Sequence, residues 1–74
     1  MPVINLKKTG NKIRLLMFQT GISAKAIQDK LGFTTTNAVY KWLNGQSLPT
    51  VNNLLILSTL FGVTLDDLIV VDYI

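Results

Sequence analysis

Short stripes of apolar residues at helical spacing alternate with brief polar breaks along this chain, and that rhythm predicts five helices. Ile13, Leu16 and Met17 share one face behind Thr9-Gly10-Asn11, which offers cap residues for the first helix. Gly21 is positioned to end it in a left-handed conformation. Ser23 reads as the N-cap of the second helix, and Ile22 with Ile27 fits a hydrophobic staple. Ile27 and Leu31 carry the buried stripe to Gly32, which stops that helix. Any residue of Thr34-Thr35-Thr36-Asn37 can cap the third helix, expected at about 35–44, whose inner face is Val39, Trp42 and Leu43. Pro49-Thr50 opens the fourth, with Leu54, Leu57, Ser58 and Phe61 at core spacing and Gly62 as its stop. Thr64 caps a short fifth helix, with Asp66 and Asp67 in the first turn and Asp67 at the capping-box position.

The two ends follow a different pattern. Pro2-Val3-Ile4-Asn5-Leu6 is β-prone, and Ile69 to Ile74 turns β-branched. A strand from the C-terminal stretch is expected to pair with Val3-Ile4 and tie the ends together. An isolated two-stranded ribbon is only marginally stable, so it must pack on the helices or on a partner.

Composition narrows the class of function. Hydrophobic residues make up 49% and charged residues 15%, the reverse of a disordered chain. There is no Cys, His or Glu, which removes disulfides, zinc ribbons and Cys or His nucleophiles. The adjacent Asp66 and Asp67 point about 100° apart on a helix, so they do not converge on a substrate. No enzyme, metal or cofactor is expected. No apolar run spans a bilayer and no signal peptide is evident, so a cytoplasmic, nucleoid-associated protein is expected.

Charge is strongly segregated. Residues 1–45 hold all seven cations against Asp29 alone, a balance of +6, whereas residues 46–74 hold Asp66, Asp67 and Asp72 with no cation. Such polarity suits an anionic partner for one half of the molecule.

Two short helices joined by Gly32-Phe33-Thr34, the second polar on its outer side, form a helix-turn-helix arrangement. Gly21-Ile22-Ser23 through Ile27, Leu31-Gly32, Val39-Tyr40-Lys41-Trp42, Asn44-Gly45, Pro49-Thr50, Leu54 and Phe61 to Leu68 resemble the Cro/CI-type (XRE) family of DNA-binding domains. The resemblance covers about residues 9–69. It implies a compact all-α, five-helix, lambda-repressor-like domain filling residues 1–74, with a core at 9–69 and the helix-turn-helix at 23–44. It further implies sequence-specific binding to double-stranded DNA, usually as a dimer and commonly in repression.

An α-helix fits the major groove, where each base pair shows a distinct pattern of donors and acceptors. The expected base contacts are Thr35, Thr36, Asn37, Tyr40 and Lys41, with Asn37 suited to adenine and Lys41 to guanine. Phosphate contacts are expected from Ser23 and Lys25 at the start of helix two, and from Asn44, Gly45 and Gln46 after helix three. Plainer roles compete. Trp42 is a core residue, Asn37 can serve as a cap, Lys41 can be a solubilising charge, and Lys7 and Lys8 form a solvated edge unless they reach a phosphate.

Three positions depart from the family pattern. Gly32 to Gly45 spans one residue more than usual, which leaves the assignment of Thr35, Thr36 and Asn37 to base-facing positions open by one. Gln28 stands where the family usually has Ala, and its bulk is expected to compensate for the longer turn. Met17 and Leu43 stand where many members have an Arg–Glu pair, so an apolar contact is expected there.

Leu55, Ile56 and Leu60 lie off the face that Leu54, Leu57 and Phe61 bury, and Leu15 and Phe18 exceed helix one's needs. This apolar surplus and the terminal strand suggest a homodimer, whose two-fold axis would set reading helices one DNA turn apart. The alternative is a protein-interaction module on the same scaffold with weak or no DNA binding.

Overall fold

The apolar stripes and their caps do generate helices, and the computed structural model, which describes residues 1–74, holds five of them with a small ribbon. The order is β1 (Pro2–Ile4), α1 (Leu6–Thr20), α2 (Ala24–Leu31), α3 (Asn37–Leu43), α4 (Val51–Phe61), α5 (Leu65–Leu68) and β2 (Val71–Tyr73). Hydroxyl caps fix most of the starts. Ser23 Oγ accepts from the Ala26 amide at 3.1 Å, and Thr50 Oγ1 from the Asn53 amide at 3.2 Å. Thr64 Oγ1 accepts from the Asp67 amide at 3.2 Å while the Asp67 carboxylate accepts from the Thr64 amide at 3.4 Å, closing the capping box.

Helix α1 begins earlier than the cap reading implied. Its N-cap is Asn5, whose Oδ1 accepts from the Lys8 amide at 2.8 Å, and Leu6, expected in the extended stretch, is its first residue. Thr9, Gly10 and Asn11 therefore lie inside the helix instead of capping it. Tertiary contacts explain the difference. The Thr9 hydroxyl is fully buried, accepting from the Val70 amide at 3.0 Å and donating to the Val70 carbonyl at 3.3 Å. Gly10 lies directly beneath the end of α3, where a Cβ would stand 2.2 Å from the Trp42 carbonyl oxygen.

The core joins all five helices through Ile13, Leu16, Ala24, Ile27, Val39, Trp42, Leu43, Leu54, Leu57, Phe61 and Leu68. Burying one aliphatic side chain fully is worth about 1.5–3 kcal/mol, a large share of the stability of so small a chain. Met17 packs half-buried against this core, to which Leu43 belongs, so both positions of the family's ion pair are apolar here.

The ribbon forms with the expected partners. Its strands are antiparallel, with Pro2 opposite Tyr73, Val3 opposite Asp72 and Ile4 opposite Val71. It is docked on α1, because the Asn5 amide donates to the Val70 carbonyl at 2.8 Å and Asn5 Nδ2 donates to Asp72 Oδ2 at 2.8 Å. Lys8 Nζ adds an ion pair with Asp72 at 3.5 Å. No helix is long and apolar enough to cross a membrane.

Candidate nucleic-acid interface

The junction between α2 and α3 is built from both ends of one residue. Gly32 closes α2 at φ 74°, and the Phe33 amide reaches back to the Gln28 carbonyl at 3.0 Å, the long-range bond of a Schellman ending. Gln28 Nε2 then donates to the Phe33 carbonyl at 3.2 Å. Phe33 is thus held at its amide and its carbonyl by the same glutamine. The Phe33 ring meets Trp42 edge-on, 5.9 Å between centroids and 64° between planes. The Gln28 side chain is only 8% exposed, with its amide group bonded to the first residue after Gly32.

Helix α3 is shorter than the expected 35–44, because residues 34–36 are bends of the turn. Thr36 is its N-cap but makes no side-chain cap bond; Thr35 Oγ1 instead accepts from the Asn37 amide at 3.2 Å. Val39, Trp42 and Leu43 are buried, which makes Trp42 a core residue. Asn37, Tyr40, Lys41 and Asn44 are exposed along the opposite side, and Thr35 is exposed just ahead of them. Thr36, expected to face outward, is half-buried. The Asn37 side chain is not the cap and makes no hydrogen bond within the chain, leaving its amide group free. Lys41 is in no ion pair. Beside them lies a shallow recess of about 340 Å³, lined by Phe33, Thr34, Thr35, Asn37, Ala38, Lys41 and Ser47.

The residues expected to meet phosphates divide into two groups. At the start of α2, Ser23 is exposed with its hydroxyl engaged as the cap, while helix geometry leaves the Ala24 and Lys25 amides without intrahelical acceptors. Lys25 Nζ lies 3.5 Å from Asp29 Oδ1, one turn along the same helix. After α3 the loop amides are not free. The Asn44 amide donates to Tyr40, that of Gly45 to Trp42 and that of Gln46 to Lys41, at 2.9, 3.1 and 2.9 Å. The chain spends these donors closing its own helix end, so Asn44 and Gln46 offer their exposed side chains and Gly45 offers no donor.

Gly45 has a different task. At φ 72° it comes so near α1 that a Cβ would stand 2.8 Å from the Lys7 Cα. Together with Gly10 it lets the N-terminal half of α1 lie against the end of α3. Lys7, read in sequence as a solvated edge, is consequently exposed beside that loop and unpaired, whereas Lys8 is committed to Asp72. Its signal in sequence was only a lysine pair before a helix, which could not separate one lysine from the other. Asp72 itself is held below the usual carboxylate range, first by the Asn5 hydrogen bond and then by the Lys8 charge.

The surplus apolar residues are partly absorbed. Leu60 is packed against the core and Ile56 is half-buried, because α4 is flanked by neighbours on more than one side. Leu55 remains 48% exposed, Leu15 remains exposed and Phe18 is 84% exposed. Leu55, Ile56 and Leu60 line an apolar groove of about 320 Å³ with Thr59 and Lys30.

Comparison with known proteins agrees with this geometry. Residues 12–68 match the helix-turn-helix family model. Among solved structures the chain is similar to the restriction-modification controller protein C.AhdI from Aeromonas hydrophila. That match has 25% identity and a TM-score of 0.74, covering 85% of this chain and 94% of that one. It is also similar to the DNA-binding domain of BldD in two structures, one of them from S. venezulae. Both have 25% identity and a TM-score of 0.71 over 89% of this chain, and they cover 94% and 97% of the respective BldD chains. No curated protein sequence matches the chain. With a family match across most of its length and five helices in the family's order, the chain belongs to the Cro/CI-type (XRE) helix-turn-helix family.

Proposed function

We propose that this protein is a transcription regulator that binds double-stranded DNA and reads the major groove with α3. The observation that carries this reading is the division of α3 into two faces. Val39, Trp42 and Leu43 anchor it from behind, while Asn37, Tyr40 and Lys41 project side chains that are committed to nothing else in the chain. Asn37 suits adenine, Lys41 suits guanine O6 and N7, and Tyr40 suits a thymine methyl or a sugar. Thr35 and Thr36 flank the row from the turn. Ser23 and Lys25 on one side, with the side chains of Asn44 and Gln46 and the adjacent Lys7 on the other, fix register on phosphates. The similar structures are described as a DNA-binding domain and a controller protein, which favours the same role here. A repressor then acts by occupying its site, which needs no chemistry from the chain.

Binding as a homodimer is part of the proposal. The exposed Leu55 with Ile56 and Leu60, and the outer edge of β2, are the surfaces suited to a second copy. The exposed apolar groove also favours a second reading, a protein-interaction module. Selection of bound duplexes from a random pool, followed by anisotropy titrations across a salt series, separates the two. A regulator enriches one short motif and loses affinity with a log–log slope of roughly −0.9 for each phosphate contacted. Failure to enrich any motif, with no binding even at low salt, would overturn the regulator in favour of the interaction module.

A further inference from the structure

We infer that Gln28, a residue that touches no DNA in the proposed mode, is the positioning residue that sets the pose of α3 and with it sequence selectivity. The inference rests on α3 being the reading helix. Its warrant lies in the turn. The start of α3 has no side-chain cap at Thr36, only the Thr35 Oγ1 bond to the Asn37 amide inside the turn itself, and four residues separate Gly32 from Asn37. Such a segment has several ways to cross between the helices unless something fixes it. The only side-chain bond tying α2 to this turn is Gln28 Nε2 to the Phe33 carbonyl at 3.2 Å. Because the Phe33 amide is already held by the Gln28 carbonyl, that second bond fixes the orientation of the whole residue. Orientation of Phe33 sets where its ring meets Trp42, and Trp42 sits on the inner side of the helix whose outer side carries Asn37 and Lys41.

Bond and packing can be separated by substitution. Gln28→Glu keeps the shape but turns the donor into an acceptor facing a carbonyl, and Gln28→Met keeps the length with no donor. Gln28→Ala removes the amide without adding bulk and serves if either larger residue distorts the site. Two measurements on each variant decide the matter: amide exchange of the free protein, and affinity for the best selected duplex against single-base variants of it. The expected result is exchange about fivefold to tenfold faster at Tyr40 to Leu43, the amides bonded within α3, the equivalent of one lost hydrogen bond, with α1 and α4 still protected. Discrimination between duplexes should fall by a similar factor while the salt slope stays unchanged, since no phosphate contact is lost. A merely stabilising Gln28 would lower affinity for every duplex alike. Unchanged exchange at α3, or unchanged discrimination with faster exchange, overturns the inference. If the unsubstituted protein binds no duplex, the reading of α3 fails separately, and exchange alone still decides whether Gln28 positions the helix.

Discussion

Asn5 and Asp72, at opposite ends of the chain, are joined by a 2.8 Å hydrogen bond from Asn5 Nδ2 to Asp72 Oδ2. The same asparagine caps α1 with its Oδ1 and donates its backbone amide to Val70. One residue therefore starts the first helix and fastens the last strand. The ribbon, too small to stand alone, becomes an extension of the helical core.

That bond makes stability depend on acid. Asp72 titrates below the ordinary carboxylate value, through the Asn5 bond foremost and the Lys8 charge next. A carboxylate depressed in the folded state stabilises it at pH above about 4, and the contribution is lost as pH falls through the folded value. Thermal melts between neutral and strongly acidic pH should show Asp72→Asn melting below the unsubstituted protein at pH 7, with the gap closing in acid. Parallel curves at every pH would contradict this account.

Thr9 offers a sharper probe of the same junction. Thr9→Val keeps the shape but removes both bonds to Val70. The Val70 carbonyl retains the Asn5 amide, so the cost falls on the half-buried Val70 amide, left without a partner. A loss of about 1–3 kcal/mol is expected from denaturant unfolding. Exchange at Val70 and Asp72 should rise more than exchange within α4.

Gly10 is where α1 and α3 come closest, and its neighbours there are backbone atoms that cannot swing aside. Gly10→Ala sets a Cβ 2.2 Å from the Trp42 carbonyl oxygen and 2.9 Å from that of Leu43. Better helix propensity returns about 1 kcal/mol, which is less than the overlap costs. Net destabilisation of about 1–3 kcal/mol is expected in a urea titration, with DNA affinity falling as the end of α3 is displaced.

How far these features could be read in advance depended on whether their cause was local. Ser23, Thr50 and Thr64 act on amides three residues away, and their caps were legible in sequence. The buried stripe of α3 was legible for the same reason, since helical spacing alone separates Val39, Trp42 and Leu43 from Asn37 and Lys41. Thr9 and Gly10 misled because their partners lie in β2's approach and at the end of α3, far away in the chain. A Thr-Gly-Asn string looks like a cap unless those partners are known. The loop after α3 misled in another way. Phosphate contacts from Asn44, Gly45 and Gln46 are the expectation, but the bonds that end α3 consume their backbone amides.

Self-association can be tested without touching α3. Leu55 is exposed on α4, a helix with no charged residue, so Leu55→Lys should leave the fold intact. Sedimentation should show a dimer for the unsubstituted protein and a monomer for the variant at the same concentration. Affinity for a two-fold symmetric duplex should drop far more than affinity for a half-site. A monomer in both cases would leave the groove to some other partner.

The lysines divide the labour of binding. Lys41 stands free on the outward side of α3, so Lys41→Ala should cost about 1–3 kcal/mol on the best duplex and relax discrimination at one base pair. Lys25 contacts no base in the proposed mode, so Lys25→Ala should weaken all duplexes alike. Its loss should also be smaller, because Lys25 pairs with Asp29, 3.5 Å away. An exposed pair of this kind holds less than about 1 kcal/mol and yields readily to a phosphate. Removing the competitor should therefore act in the opposite direction: Asp29→Asn should raise affinity for every duplex equally and steepen the salt dependence. Anisotropy titrations of the three variants at two salt concentrations make the comparison. Equal losses from Lys41→Ala and Lys25→Ala on every sequence would remove α3 from the reading role, whatever the effect of Asp29.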